Sequence, residues 1–169
     1  MKKFLMIIPL FYFMSCSSDK PKMETESLTV PSDEKTLSNR LKEPAFGNLD
    51  YVSDNINEAL NPKQGSTFTV TGDTLEFSGP YVDAVRQEAA AGVILSIGDK
   101  DFTTSYGHPR PDIAEVHQNP KYLNCLFGIR VPVASIGSGS HDVKVKVLAS
   151  DKSGYFESPI LVTLVIPEK

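Results

Sequence analysis

The sequence predicts a mainly β domain, an antiparallel β-sandwich of about seven or eight short strands with one short helix in a crossover. Apolar and polar residues alternate along several separate stretches, the period of two that turns one face of a strand inward. Turn signals rich in Gly, Asp, Asn and Pro separate those stretches. The chain has 169 residues, of which 40% are hydrophobic and 22% charged, ordinary for one soluble domain with a real core.

The first element is a leader. Lys2 and Lys3 precede an apolar run from Phe4 to Met14, which has the length of a signal-peptide core and is too short to span a bilayer. Ser15-Cys16-Ser17-Ser18 then puts a cysteine just after a small residue, where cleavage is expected. The arrangement resembles the bacterial lipobox, which implies that Cys16 is acylated and becomes the new N-terminus. Residues 1–15 are then signal peptide, and the acyl chains anchor the chain without a transmembrane helix. Residues 16–43 form the lipidated N-terminus and a flexible linker, rich in Lys, Glu, Asp and Ser and poor in apolar residues.

The sandwich is expected over 44–169. Phe46, Leu49 and Tyr51 open it as a short extended segment, and the polar stretch 53–65 reads as a loop with one helical turn. Phe68 with Val70, and Leu75 with Phe77 past the Gly72-Asp73 turn, alternate as strands, as do Val93, Leu95 and Ile97 before the turn at 98–101. Phe127, Ile129 and Val131 follow, then Val143, Val145 and Val147 against Lys144 and Lys146, then the run from Ile160 to Ile166. Lysine alternating with valine is the pattern of a half-buried strand, and the lysines discourage edge pairing.

Tyr106 to Tyr122, YGHPRPDIAEVHQNPKY, breaks the pattern with three prolines among charged residues. Pro109 and Pro111 stiffen the approach. Asp112 and Glu115, three apart, have the spacing of a capping box for a helix over 113–117, stopped before Asn119-Pro120.

Ser78, Gly79, Val82 and Asp83, then Tyr106, Gly107, Arg110, Pro111 and Asp112, then Asn119, Pro120 and Tyr122, and last Gly154, Tyr155 and Glu157 form a combination of motifs. From about Gly47 onward it resembles an Ig-like β-sandwich module found as a soluble accessory region in bacterial membrane proteins of glycosyltransferase type. The resemblance implies an Ig-like sandwich and brings no catalytic site. The chain departs from it at Pro80, where Trp is usual, and at Cys125-Leu126, where Ser-Gly is common.

Composition narrows function. Net charge is −4 and becomes more negative once Lys2 and Lys3 are cleaved away, which argues against a nucleic-acid partner. With Cys16 acylated, Cys125 is a lone thiol beside Leu126 and Phe127 and reads as a buried hydrophobe. His108, Asp112, Glu115 and His117 have metal-ligand chemistry, but the prolines separate His108 from the helix, and no metal or other cofactor is expected. Ser140, His141 and Asp142 are the residue types of a triad, but neighbours on a strand point to opposite faces. Tyr81, Tyr106, Tyr122, Tyr155 and Phe156 could stack on sugars or finish the core. Arg110 is expected to pair with Asp83 or Asp101, or else to face a ligand beside Tyr81, Tyr106 and Tyr122. His108 and His117 receive no role. The reading is a non-catalytic binding or interaction module of the bacterial envelope, an outer-membrane lipoprotein whose expected partners are the membrane, through the lipid, and an envelope protein or a cell-surface glycan.

Overall fold

The alternating stretches form strands that stack as two sheets. In the computed structural model, which describes residues 34–168, the chain runs through α1 (Glu34–Ser38), β1 (Phe46–Gly47), β2 (Tyr51–Ser53), β3 (Glu58–Leu60), β4 (Ser66–Thr69), β5 (Thr74–Asp83) and β6 (Glu88–Ala89). It continues through β7 (Gly92–Ile97), β8 (Lys100–Thr103), β9 (Ser105–His108), α2 (Pro111–Val116), β10 (Leu126–Pro132), β11 (Gly139–Leu148), β12 (Tyr155–Glu157) and β13 (Val162–Ile166). One sheet has the order β3-β2-β5-β10-β9, with β1 and β6 also on β5; the other has β4-β13-β11-β7-β8, with β12 on β11. The expected sandwich is present. Eight of the described strands have four or more residues, and five shorter ones add to them because two or three residues are too few to display an alternation.

The inward faces supply the core. Leu75, Phe77, Phe127 and Val131 of the first sheet meet Val93, Leu95, Val143, Val145, Val147 and Leu164 of the second, all at most 1% exposed. Burial of this kind contributes on the order of 25 cal/mol for each Å² of apolar surface removed from water. All pairings are antiparallel except β4 on β13 and the bridge between Arg40 and Tyr155.

Two stretches differ from the sequence reading. Glu58–Leu60 is a strand paired with β2, with Tyr51 opposite Leu60; no helical turn forms there, because Asn55 takes φ 71° and the Asp54 carboxylate draws in the amides of Ile56 and Asn57. Residues 36–45, read largely as linker, lie against the sandwich. The buried Thr36 donates its hydroxyl to Lys152 O at 3.0 Å. Farther on, Leu41 N donates to Tyr155 O at 2.8 Å and Ala45 N to Glu157 O at 3.2 Å. The leader, Cys16 and the linker up to residue 33 lie outside the described residues. Among the described residues no helix is long and apolar enough to cross a membrane.

Candidate functional site

The crossover from β9 to β10 carries α2 and a 3-10 turn, Pro120–Tyr122. Proline starts α2: Pro111 occupies the first turn, where its missing N–H costs no intrahelical bond. The helix therefore begins before Asp112, and the expected capping box does not form. Arg110 is the N-cap residue, and no side chain caps the helix. The Asp112 carboxylate instead accepts from Arg110 Nε at 2.8 Å and Nη2 at 2.7 Å. This pairing with Arg110 holds the Asp112 carboxyl down at about 2. Glu115 is exposed.

Arg110 pairs, as one of the two expectations held, but with neither expected partner. Its Nη1 reaches Asp50 Oδ2 at 2.5 Å, so the guanidinium ties the crossover to the segment between β1 and β2. Asp83 is fully buried at the far end of β5 and is taken by others. It accepts from Arg86 Nη1 at 3.1 Å, Ser150 N at 2.9 Å and Ser150 Oγ at 3.1 Å, pinning the turn after β5 to the loop after β11. Asp101 accepts from Ser96 Oγ at 2.6 Å and Lys146 Nζ at 2.5 Å. Because the Arg110 side chain is 22% exposed, Arg110→Ala is expected to cost about 1–2 kcal/mol and to lower the melting temperature by roughly 5 °C. Thermal unfolding followed by circular dichroism measures this, and an unchanged midpoint would refute the tie.

The tyrosines do not line an exposed groove. Tyr81 continues the inward series Leu75, Phe77, Gly79 along β5 and is fully buried, its ring 5.9 Å from that of Phe127. Tyr106 is buried too, and its hydroxyl donates to Tyr81 O at 2.7 Å while accepting from Ala90 N at 3.0 Å. Burial pushes both phenols well above their ordinary range. Tyr122 is buried with Val82 and Cys125 in a small second cluster that Ile113 covers. Phe156 is buried as well, whereas Tyr155 is half-buried beside Lys146, whose Nζ lies 5.7 Å from the ring.

The remaining candidate side chains also make contacts within the fold. His108 Nε2 lies 2.7 Å from Ser105 Oγ, and the His117 ring packs edge-on against Phe46 at 5.6 Å and Tyr122 at 5.8 Å. Among the described residues no three His, Cys, Asp or Glu side chains converge as metal ligands. His141 Nε2 faces the carbonyls of Gly137 and Ser138 at 3.2 and 3.3 Å, while Asp142 accepts from Thr163 at 2.9 Å, so these side chains engage other partners and not each other. Cys125 is fully buried, which pushes its thiol up and away from nucleophilic use. On the outer face of the second sheet, an open depression of about 580 Å³ holds Lys144 and Lys146. Their charges are met by Glu157 at 3.4 Å and Asp101 at 2.5 Å.

Sequence reasoning missed two features. Asp54 is a buried carboxylate held by backbone amides, and no local motif marks it. The other is apolar surface around the crossover. Phe46, Pro80, Val82, Ile113 and His117 line a cleft of about 210 Å³ between β1 and α2. At its rim Phe46 is 47% exposed, and on the crossover Val116 is 75% exposed. Phe46 was legible as apolar, but its exposure follows from a two-residue strand too short to bury both faces.

No family model matches the chain, and no curated protein matches it. Among solved structures, the endo-beta-1,4-mannanase from Thermotoga petrophila is similar over 76% of this chain and 21% of that one, at 10% identity and a TM-score of 0.43. The chain thus spans about a fifth of that protein's length.

Proposed function

We propose that the protein is a non-catalytic interaction module, held at the bacterial envelope by a lipid on Cys16, whose crossover face receives a protein partner. One observation carries the reading: Arg110 and Asp112 are paired within the fold, while Phe46 stands exposed at the rim of the cleft and Val116 stands exposed on α2, the helix whose Ile113 and His117 line that cleft. Exposed apolar side chains on the cleft rim and on its helix suit a protein surface better than a sugar. The sugar reading needs an aromatic platform, and Tyr81, Tyr106 and Tyr122 are buried.

The test uses the full-length protein in cells with a photoreactive residue in place of Val116. A discrete protein adduct that disappears with Phe46→Asp is expected. An adduct pattern indifferent to Phe46→Asp, or glycan-array binding by the same protein with no adduct at all, overturns the reading. Palmitate labelling is expected to be lost in Cys16→Ala, and unchanged labelling removes the anchor.

A further inference from the structure

The chain reaches its sandwich at the same end as the crossover. α1 and the residue after it are fixed to the loop that follows β11: the Thr36 hydroxyl donates to Lys152 O at 3.0 Å and Asn39 Nδ2 to Ser153 O at 2.7 Å. That loop also holds Arg86, whose Nη2 donates to Asp151 Oδ2 at 2.6 Å and to Ser153 Oγ at 3.0 Å. Arg86 lies in the turn between β5 and β6. The crossover is bonded to the same turn, where Asn119 Nδ2 donates to Gln87 O at 3.0 Å. One turn thus touches both the entry of the chain and the crossover. Its Val85, 57% exposed, joins Phe46 and Val116 as a third uncovered apolar side chain at this end. The far end of the ten-residue β5 is about 30 Å away.

We infer that the partner of the crossover face is a protein embedded in the same membrane that carries the lipid on Cys16. The inference rests on the reading of that face as a protein-docking surface and on the lipid. The 18 residues from Cys16 to Asp33 span at most about 60 Å even when fully extended, so whatever meets the crossover does so close to the bilayer. Size points the same way. The cleft, about 210 Å³, is smaller than the pockets of roughly 300–1,000 Å³ that enclose small ligands, and a contact of that size is weak between two freely diffusing proteins. Sharing a membrane makes the encounter local and raises the effective concentration. Charge argues against the bilayer itself as the partner, because the chain is net negative and becomes more so with the loss of Lys2 and Lys3.

The test keeps the full-length chain in cells, with a photoreactive residue in place of Val116 and a protease site inserted between Asp33 and Glu34. After irradiation and cleavage, the uncoupled domain is expected in the supernatant, while the protein adduct stays in the membrane pellet even in alkaline carbonate. Gly-Ser repeats inserted at the same point, lengthening the span fourfold, are expected to lower the adduct yield about eightfold, following the −3/2 power of tether length. The insertion leaves the sandwich untouched, so its unfolding midpoint is expected to stay the same. An adduct that carbonate releases, adducts with lipid alone, or a yield indifferent to the added length overturns the inference. A released adduct that still disappears with Phe46→Asp leaves the docking face standing and removes only its membrane-embedded partner, whereas no protein adduct at all removes both.

Discussion

Replacing Asp54 by alanine is expected to lower the melting temperature by about 10 °C, from the loss of roughly 3 kcal/mol. The carboxylate is fully buried. Its Oδ1 accepts from Ile56 N at 3.0 Å and Asn57 N at 2.6 Å, and its Oδ2 from Thr71 N at 2.6 Å and Gly72 N at 3.0 Å. One side chain thus closes the β2–β3 hairpin and fastens it to the turn between β4 and β5. Alanine leaves four amides without their acceptor, each worth about 1–3 kcal/mol when buried, with water recovering part at the exposed Ile56, Asn57 and Thr71. Asp54→Asn keeps the shape and one acceptor oxygen, so its loss is expected to be about half as large. Thermal unfolding at neutral pH tests the series, and an alanine variant as stable as the parent would show that the amides find other partners.

The same residue gives the fold an acid limit. Burial alone would raise the Asp54 carboxyl, but the amides of Thr71, Asn57, Gly72 and Ile56 outweigh it and hold the group far below the ordinary carboxylate range. A group whose folded-state value is depressed stabilises the fold fully above its unfolded value and progressively less as the pH falls toward the folded one. Stability is therefore expected to be flat in this contribution above about pH 5 and to decline below about pH 4. Asp54→Asn, which has no charge to lose, is expected to be less stable at neutral pH and to show a shallower decline over that acid range. Parallel acid slopes in the two proteins would assign the acid loss elsewhere.

Asp54 also shows where sequence reasoning ends. Its four closest partners are backbone amides, which every non-proline residue offers, so nothing in the neighbouring letters distinguishes it from a solvated loop aspartate. Arg110 is the middle case. Its confinement by Pro109 and Pro111 signalled a fixed role, but its partner Asp50 lies 60 residues away, and spacing carries no information across that distance. Asp112 and Glu115 have the right interval for a capping box, yet Pro111 starts the helix two residues earlier and places Asp112 inside it. Tyr81 was the most legible of all: the alternation Leu75, Phe77, Gly79, Tyr81 already pointed its ring inward, and its reading as a ligand platform gave that alternation too little weight. The sandwich itself was plain because period-two patterning is repeated over many strands, whereas each contact of the crossover is made once.

Gly79→Ala and Gly128→Ala are expected to differ by about 3 kcal/mol although the two glycines sit on paired strands, Gly79 opposite Phe127 and Gly128 opposite Ser78. The pairing of the N-terminal segment with β5 explains the difference. Gly47 pairs with Tyr81 and Tyr51 with Ser78, so between these pairs four steps on one strand face three on the other, a bulge of one residue. The extra residue turns the Asn48 carbonyl toward Gly79, where an added Cβ would lie 2.1 Å from that oxygen and 3.1 Å from Leu49 Cα. Backbone atoms cannot swing aside as a side chain can, so alanine there must displace the segment that carries Asp50, the partner of Arg110. At Gly128 an added Cβ meets nothing within 4 Å, and the substitution is expected to change stability by less than about 0.5 kcal/mol. Denaturant unfolding of the two variants side by side makes the comparison. Equal midpoints would mean that the bulge at residues 48–50 yields at little cost, and that the Arg110–Asp50 tie does not depend on a rigid segment beneath it.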